Sequence, residues 1–102
     1  MKEYRLTRLR FEHSQTPLTF DKGLLTVYDY EPAEVWYVEL ENPHHIELFE
    51  EMYENCDVRS MIFYTERNSA RIGKANVTRV LKSSGKVSVS IKGEEALKLV
   101  GS

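Results

Sequence analysis

The sequence predicts an α+β domain that is mainly β. It should hold six or seven short, mostly antiparallel strands in a small barrel or strongly curved sheet, with one amphipathic helix at about residues 43–56. Two observations carry this. Apolar and polar residues alternate with period two through most of the chain, broken by Gly, Pro, Asn and Asp, and one stretch alone switches to helical spacing. The composition agrees: 41% apolar, 11% aromatic and 29% charged residues in 102 describe an ordinary globular chain. Two cores of about 50 residues each would be marginal, so a single domain over residues 1–100 is expected, with Gly101-Ser102 read as a cloning remnant.

Residues 4–12 read as a strand with imperfect alternation, closed by the loop Ser14-Gln15-Thr16-Pro17. Leu18-Thr19-Phe20 is expected to pair with Leu24–Tyr28 across a turn at Asp21-Lys22-Gly23. Pro32 marks the next boundary. From Glu34 to Glu41, Trp36, Val38 and Leu40 share one face and Glu39 and Glu41 the other, which argues for burial of Trp36. Tyr28 and Tyr30 fall on a face with Leu24 and Thr26, so they and Tyr37 are candidates for either core or contact surface.

Asn42-Pro43 resembles a helix start, a capping side chain followed by proline at the first helical position. After it, Ile46, Phe49, Met52, Tyr53 and Cys56 form a stripe, with Glu47, Glu50, Glu51 and Glu54 around the rest. Val58–Thr65 is apolar on both faces and reads as a strand covered on both sides. Glu66–Ala70 is a polar connection. Arg71–Lys82 and Val87–Lys92 form a hairpin across Ser83-Ser84-Gly85-Lys86, and Ala96–Val100 closes as an edge strand or a helical turn.

Motifs for chemistry are sparse. His44 and His45 are adjacent, and neighbours on a helix point about 100° apart, which does not converge on a metal. His13 has no orienting acid nearby in sequence. Gly85-Lys86 lacks the glycine that a phosphate loop needs at position 80, which is Val80. One cysteine forms no internal disulfide; on the helical stripe Cys56 is expected to be a small buried hydrophobe, flanked by acids that disfavour a thiolate. No cofactor, metal or catalytic residue is assigned, and an enzyme or ligand carrier with a pocket inside the barrel ranks third among the readings. Asn76-Val77-Thr78 matches a glycosylation sequon. The charged N-terminal stretch lacks the apolar run of an export signal, and no run approaches the roughly 20 residues of a membrane span, so a cytoplasmic, non-membrane protein is expected.

The net charge of −2 conceals a division. Residues 1–58 carry five bases and thirteen acids, and residues 59–102 nine bases and three acids. From Gly23 to Val58 there are ten acids and no Lys or Arg; from Arg59 to Lys92 there are eight bases and one acid, Glu66. If acidic strands lie beside basic ones, cross-strand ion pairs cancel the split. If not, the molecule is electrically bipolar. The expected function is then a non-enzymatic protein–protein interaction or assembly module, self-associating through complementary faces. The candidate acidic surface is Glu39, Glu41, Glu47, Glu50, Glu51 and Glu54; the candidate basic surface is Arg67, Arg71, Lys74, Arg79, Lys82 and Lys86. The alternative is a nucleic-acid-binding module in which the basic C-terminal hairpin tracks phosphates, against which a pI near 5.9 weighs. A further coherent reading makes the acidic block a mimic of nucleic acid.

Overall fold

The structure, a computed structural model, describes residues 1–30 and 33–100. Pro32 and Gly101-Ser102 lie outside the described residues, as does the side chain of Tyr30. The chain runs β1 (Lys2–Phe11), β2 (Lys22–Tyr30), β3 (Ala33–Glu41), α1 (Ile46–Asn55), β4 (Val58–Thr65), β5 (Ala70–Ser83), β6 (Lys86–Gly93) and β7 (Lys98–Leu99). The strand order is β4-β1-β2-β3-β6-β5-β7, and a β4–β5 pairing closes the first six into an antiparallel barrel. The extra strand β7 continues along β5, with Leu99 opposite Arg71. The terminal segment therefore closes as an edge strand.

Closure removes sheet edges and forces one face of every strand into a shared interior. Leu25, Trp36, Val38, Leu40, Met61, Phe63, Val89 and Ile91 fill it, and α1, which packs against β5, adds Phe49 and Met52 to the same cluster. β1 divides its pairing, Lys2–Arg5 with β2 and Leu6–Phe11 with β4. Its imperfect alternation has a physical cause: a bulge at Thr7 lets both Leu6 and Leu9 point inward. A second bulge, at Thr78, does the same for Val77 and Val80. On β4, Met61 and Phe63 face inward, while Ile62 lies on the outer row between Arg10 and Ile72 and is buried too.

Four expectations are corrected. Leu18 does not open a hairpin with β2; it bridges Leu9 through two backbone hydrogen bonds of 2.7 and 3.1 Å, and β2 begins at Lys22 and turns back into β3. Gly23 lies within β2, paired with Leu40, and Phe20 packs where its Cβ would be, 2.6 Å from Cε1. The helix starts at Ile46, not residue 43. Asn42 is drawn away from capping: its φ is 49°, its Oδ1 accepts from the Val87 amide at 2.9 Å and its Nδ2 donates to Asp21 at 3.0 Å. Cys56 is exposed, since it is the left-handed residue that ends α1, its amide bonded to the carbonyls of Met52 and Tyr53. The β5–β6 turn meets the expectation, with Ser84 and Gly85 both at positive φ, as a two-residue type I′ hairpin requires.

Trp36 dominates the interior. Its ring is fully buried and meets Phe63 edge-on, with centroids 5.4 Å apart at 74°. The indole lies over Gly73 and Gly93; a Cβ at Gly73 would stand 2.7 Å from Cζ2, and one at Gly93 would collide with the ring outright. Its Nε1 donates to the Glu95 carbonyl at 2.6 Å, and the Leu97 amide donates to Glu34 Oε1 at 3.0 Å, so the segment after β6 is drawn across the barrel mouth.

Gly93→Ala is expected to overpack this site and cost about 1–3 kcal/mol, and Trp36→Ala about 3–5 kcal/mol, read as shifts in urea midpoint. Tryptophan fluorescence of Gly93→Ala reports on the same pocket, because Trp36 is the single tryptophan. An unshifted midpoint for Gly93→Ala would show that the indole does not claim that space.

Candidate functional site

Since the interior is filled, candidate sites lie on the exterior, where strand order decides which charges meet. The outer row of β3 presents Val35, Tyr37, Glu39 and Glu41. Its neighbour β6 presents Lys92, Ser90 and Ser88 opposite the last three, and β5 follows with Asn76, Arg79 and Leu81. Serine therefore stands between the acidic strand and the basic one. Two strand spacings are about 9.6 Å, close to the roughly 10 Å screening length at 0.1 M salt. Glu39 takes its partner from the intervening strand: Ser90 Oγ lies 2.8 and 2.9 Å from its two oxygens.

Among the described residues there are three ion pairs, Asp21–His44, Asp57–Arg59 and Glu50–Lys82, the last at 2.8 Å. Only Glu50–Lys82 joins the acidic helix to the basic strand. Arginines are held chiefly by aromatic rings and carbonyls. Arg8 lies 4.5 Å from the Tyr64 ring centroid, Arg59 5.2 Å from Phe11 and Arg71 4.4 Å from Tyr4. Arg10 donates to the Tyr64 hydroxyl and to the carbonyls of Phe11, Glu12 and Ser14, fixing the loop after β1.

The predicted basic surface is partly dispersed. Arg67 sits in the β4–β5 turn, and Arg71, in register with Phe63, faces inward with its Nε buried and unpartnered. Lys82 turns to Glu50. Lys74, Arg79 and Lys86 remain exposed, without ion pairs, and Lys92, which sequence reasoning left out, joins them on the outer face. The predicted acidic surface divides into Glu39 and Glu41 on β3, and Glu47, Glu50, Glu51 and Glu54 on α1. Three acids outside that set, Glu3, Asp21 and Glu66, share with Glu39 and Glu41 an open groove of about 590 Å³ over β1, β2 and the end of β3. They were missed because the antiparallel pairing of β1, β2 and β3 gathers them from distant parts of the chain. Tyr28 and Tyr37 pack edge-on outside the barrel, centroids 6.1 Å apart, while Trp36 is interior.

One polar constellation joins the β1–β2 loop to the β3–α1 connection. Thr19 Oγ1 lies 2.7 Å from His44 Nδ1, and His44 Nε2 lies 3.3 Å from Asp21 Oδ1. The order hydroxyl, imidazole, carboxylate is that of an acyl-transfer triad; here all three side chains stand exposed to water and tie two loops together. No group of three or more His, Cys, Asp or Glu suited to a metal occurs among the described residues. Nor, among them, is any helix long and apolar enough to cross a membrane.

No protein-family model matches the chain, and no curated protein does. Among solved structures it is similar to a hypothetical protein from Staphylococcus aureus, with 15% identity, a TM-score of 0.74, and 99% of this chain and 71% of that one covered. At that identity the likeness shows the fold alone.

Hydrogen bonds from Asn42 first and His44 second hold the Asp21 carboxyl below its ordinary value of 3.8. The carboxylate therefore favours the folded state above pH 3.8, and that contribution is lost as pH falls through the lower, folded value. Asp21→Asn is expected to remove this part of the acid limb, so that the stabilities of variant and wild type converge as pH drops. Urea midpoints measured from about pH 2 to pH 6 check it, and parallel curves would contradict it.

Proposed function

We propose that this chain is a non-enzymatic, cytoplasmic protein-interaction or assembly module that acts from the barrel exterior and self-associates through complementary acidic and basic faces. The observation that carries this is the persistence of the charge division after folding. Ser88 and Ser90 of β6 separate Glu41 and Glu39 from the outer row of β5 that holds Arg79, and among the described residues a single ion pair, Glu50–Lys82, links α1 to β5. Surfaces of opposite sign that are not satisfied within one molecule favour an encounter with a second, and fix its register. A second concavity, about 680 Å³ and open, is lined by Thr7, Arg8, Tyr64 and Ser69 with Leu99 and Val100. Hydroxyls and one guanidinium beside an apolar edge suit it to contact with a partner surface.

The nucleic-acid alternative draws less support from the geometry. A phosphate-tracking ribbon would need Arg67 through Lys86 in line, but Arg67 lies in the β4–β5 turn at the other end of β5, Arg71 packs on Tyr4 and Lys82 pairs with Glu50.

The test is molar mass by light scattering from about 20 mM to 500 mM salt, a range over which screening shortens from well above 10 Å to a few Å. Salt-sensitive oligomers at low ionic strength are expected, with passage through a single-stranded DNA column unretained. A strict monomer at every salt concentration would overturn the reading, and retention on the DNA column would favour the nucleic-acid alternative.

A further inference from the structure

The β5–β6 hairpin is exposed without interruption from Leu81 to Lys86, and Gly85 at its tip has open space around it. Its outer face carries Arg79, Leu81, Lys86 and Lys92, and no acid occurs anywhere between Arg67 and Lys92. Leu81 is 47% exposed, an apolar side chain set among cations. The groove over β1, β2 and the end of β3 has the converse character. Glu3, Asp21, Glu39, Glu41 and Glu66 outnumber the bases Arg5 and Lys22, and Leu24 supplies an apolar floor.

We infer that the β5–β6 hairpin of one copy of this chain docks in the acidic groove of a second copy, with Arg79 and Lys86 against the carboxylates and Leu81 over Leu24. This rests on the assembly reading above and names its two surfaces. The protrusion matches a concavity, cations match acids, and an exposed leucine matches an apolar floor. Within one molecule the row nearest the groove is serine rather than cation, Ser88 and Ser90 of β6 standing opposite Glu41 and Glu39, and β5 is held to β6 on either side of the bulge at Thr78, so Arg79 stays one strand further away. Hairpin and groove are different patches, so the contact is heterologous: it either closes by reciprocal exchange between two copies or propagates from copy to copy.

The experiment is a charge swap. One variant carries Arg79→Glu with Lys86→Glu, the other Glu39→Lys with Glu41→Lys; Glu3→Lys with Glu66→Lys is a second groove variant that leaves the Ser90 bond untouched. Wild-type tryptophan fluorescence and urea midpoints verify that each is folded. Every variant alone is expected to associate at least tenfold more weakly than wild type at low salt, because like charges then face each other. An equimolar mixture of hairpin and groove variants should assemble again, since both contacts become complementary. Variants that still self-associate, or a mixture that stays monomeric while the wild type assembles, would overturn this pairing and leave the assembly reading standing. A wild type that never associates would remove both.

Discussion

The interior position of Trp36 sets the terms for the rest of the molecule. A six-stranded barrel has little interior, and one indole occupies much of it when the strands passing beneath carry glycine. Gly73 on β5 and Gly93 at the end of β6 supply that clearance. A buried indole N–H also needs an acceptor, and leaving it unmade would cost about 1–3 kcal/mol. The Glu95 carbonyl meets the need, which obliges the chain after β6 to cross the barrel mouth before β7 joins β5. One side chain thus explains two glycines, the path of the C-terminal segment, and an interior left to packing rather than chemistry.

Closure in the order β3-β6-β5 governs the charges as directly. Had β3 paired with β5, the outer glutamates of β3 would face the arginine of β5, and each such pair would contribute roughly 0.2–1 kcal/mol. The intervening β6 offers serines instead, and a serine hydroxyl satisfies a carboxylate without neutralising it. On the other side of the barrel, Tyr64, Phe11 and Tyr4 hold guanidinium groups by their ring faces. Those rings order the arginines without supplying a counter-charge.

What could be read from the sequence follows the range of the interactions involved. Period-two alternation located β3 and β6 and the burial of Trp36, because alternation is a local consequence of the pleat, while β4 was legible as a run apolar on both faces and β5 as the other arm of the hairpin. The hairpin turn was legible for the same reason: Ser84-Gly85 needs positive φ at both positions. The errors are tertiary. Asn42 has the chemistry of a helix cap, yet the Val87 amide, 45 residues away, claims its carbonyl oxygen. Cys56 continues the helical stripe by number, but the helix unwinds at that residue into a left-handed turn and carries the thiol outward. The bulges at Thr7 and Thr78 interrupt alternation only once pairing partners are known. For the surface, the sequence showed two blocks of opposite charge but not the strand between them, since strand order belongs to the whole fold. The groove acids Glu3 and Glu66 lay outside any local pattern.

Near-zero net charge and strong internal separation have a joint consequence. At a net −2, repulsion between whole molecules is weak, so approach of a second molecule is scarcely opposed, while the separated blocks give that approach a preferred orientation. Screened pairs at an exposed rim add little holding power, each contributing a fraction of a kcal/mol. Persistence of a contact must then come from apolar area, for which the exterior offers the exposed Leu81 and Tyr37. Charge selects the direction of the encounter, and these few uncovered side chains determine how long it lasts.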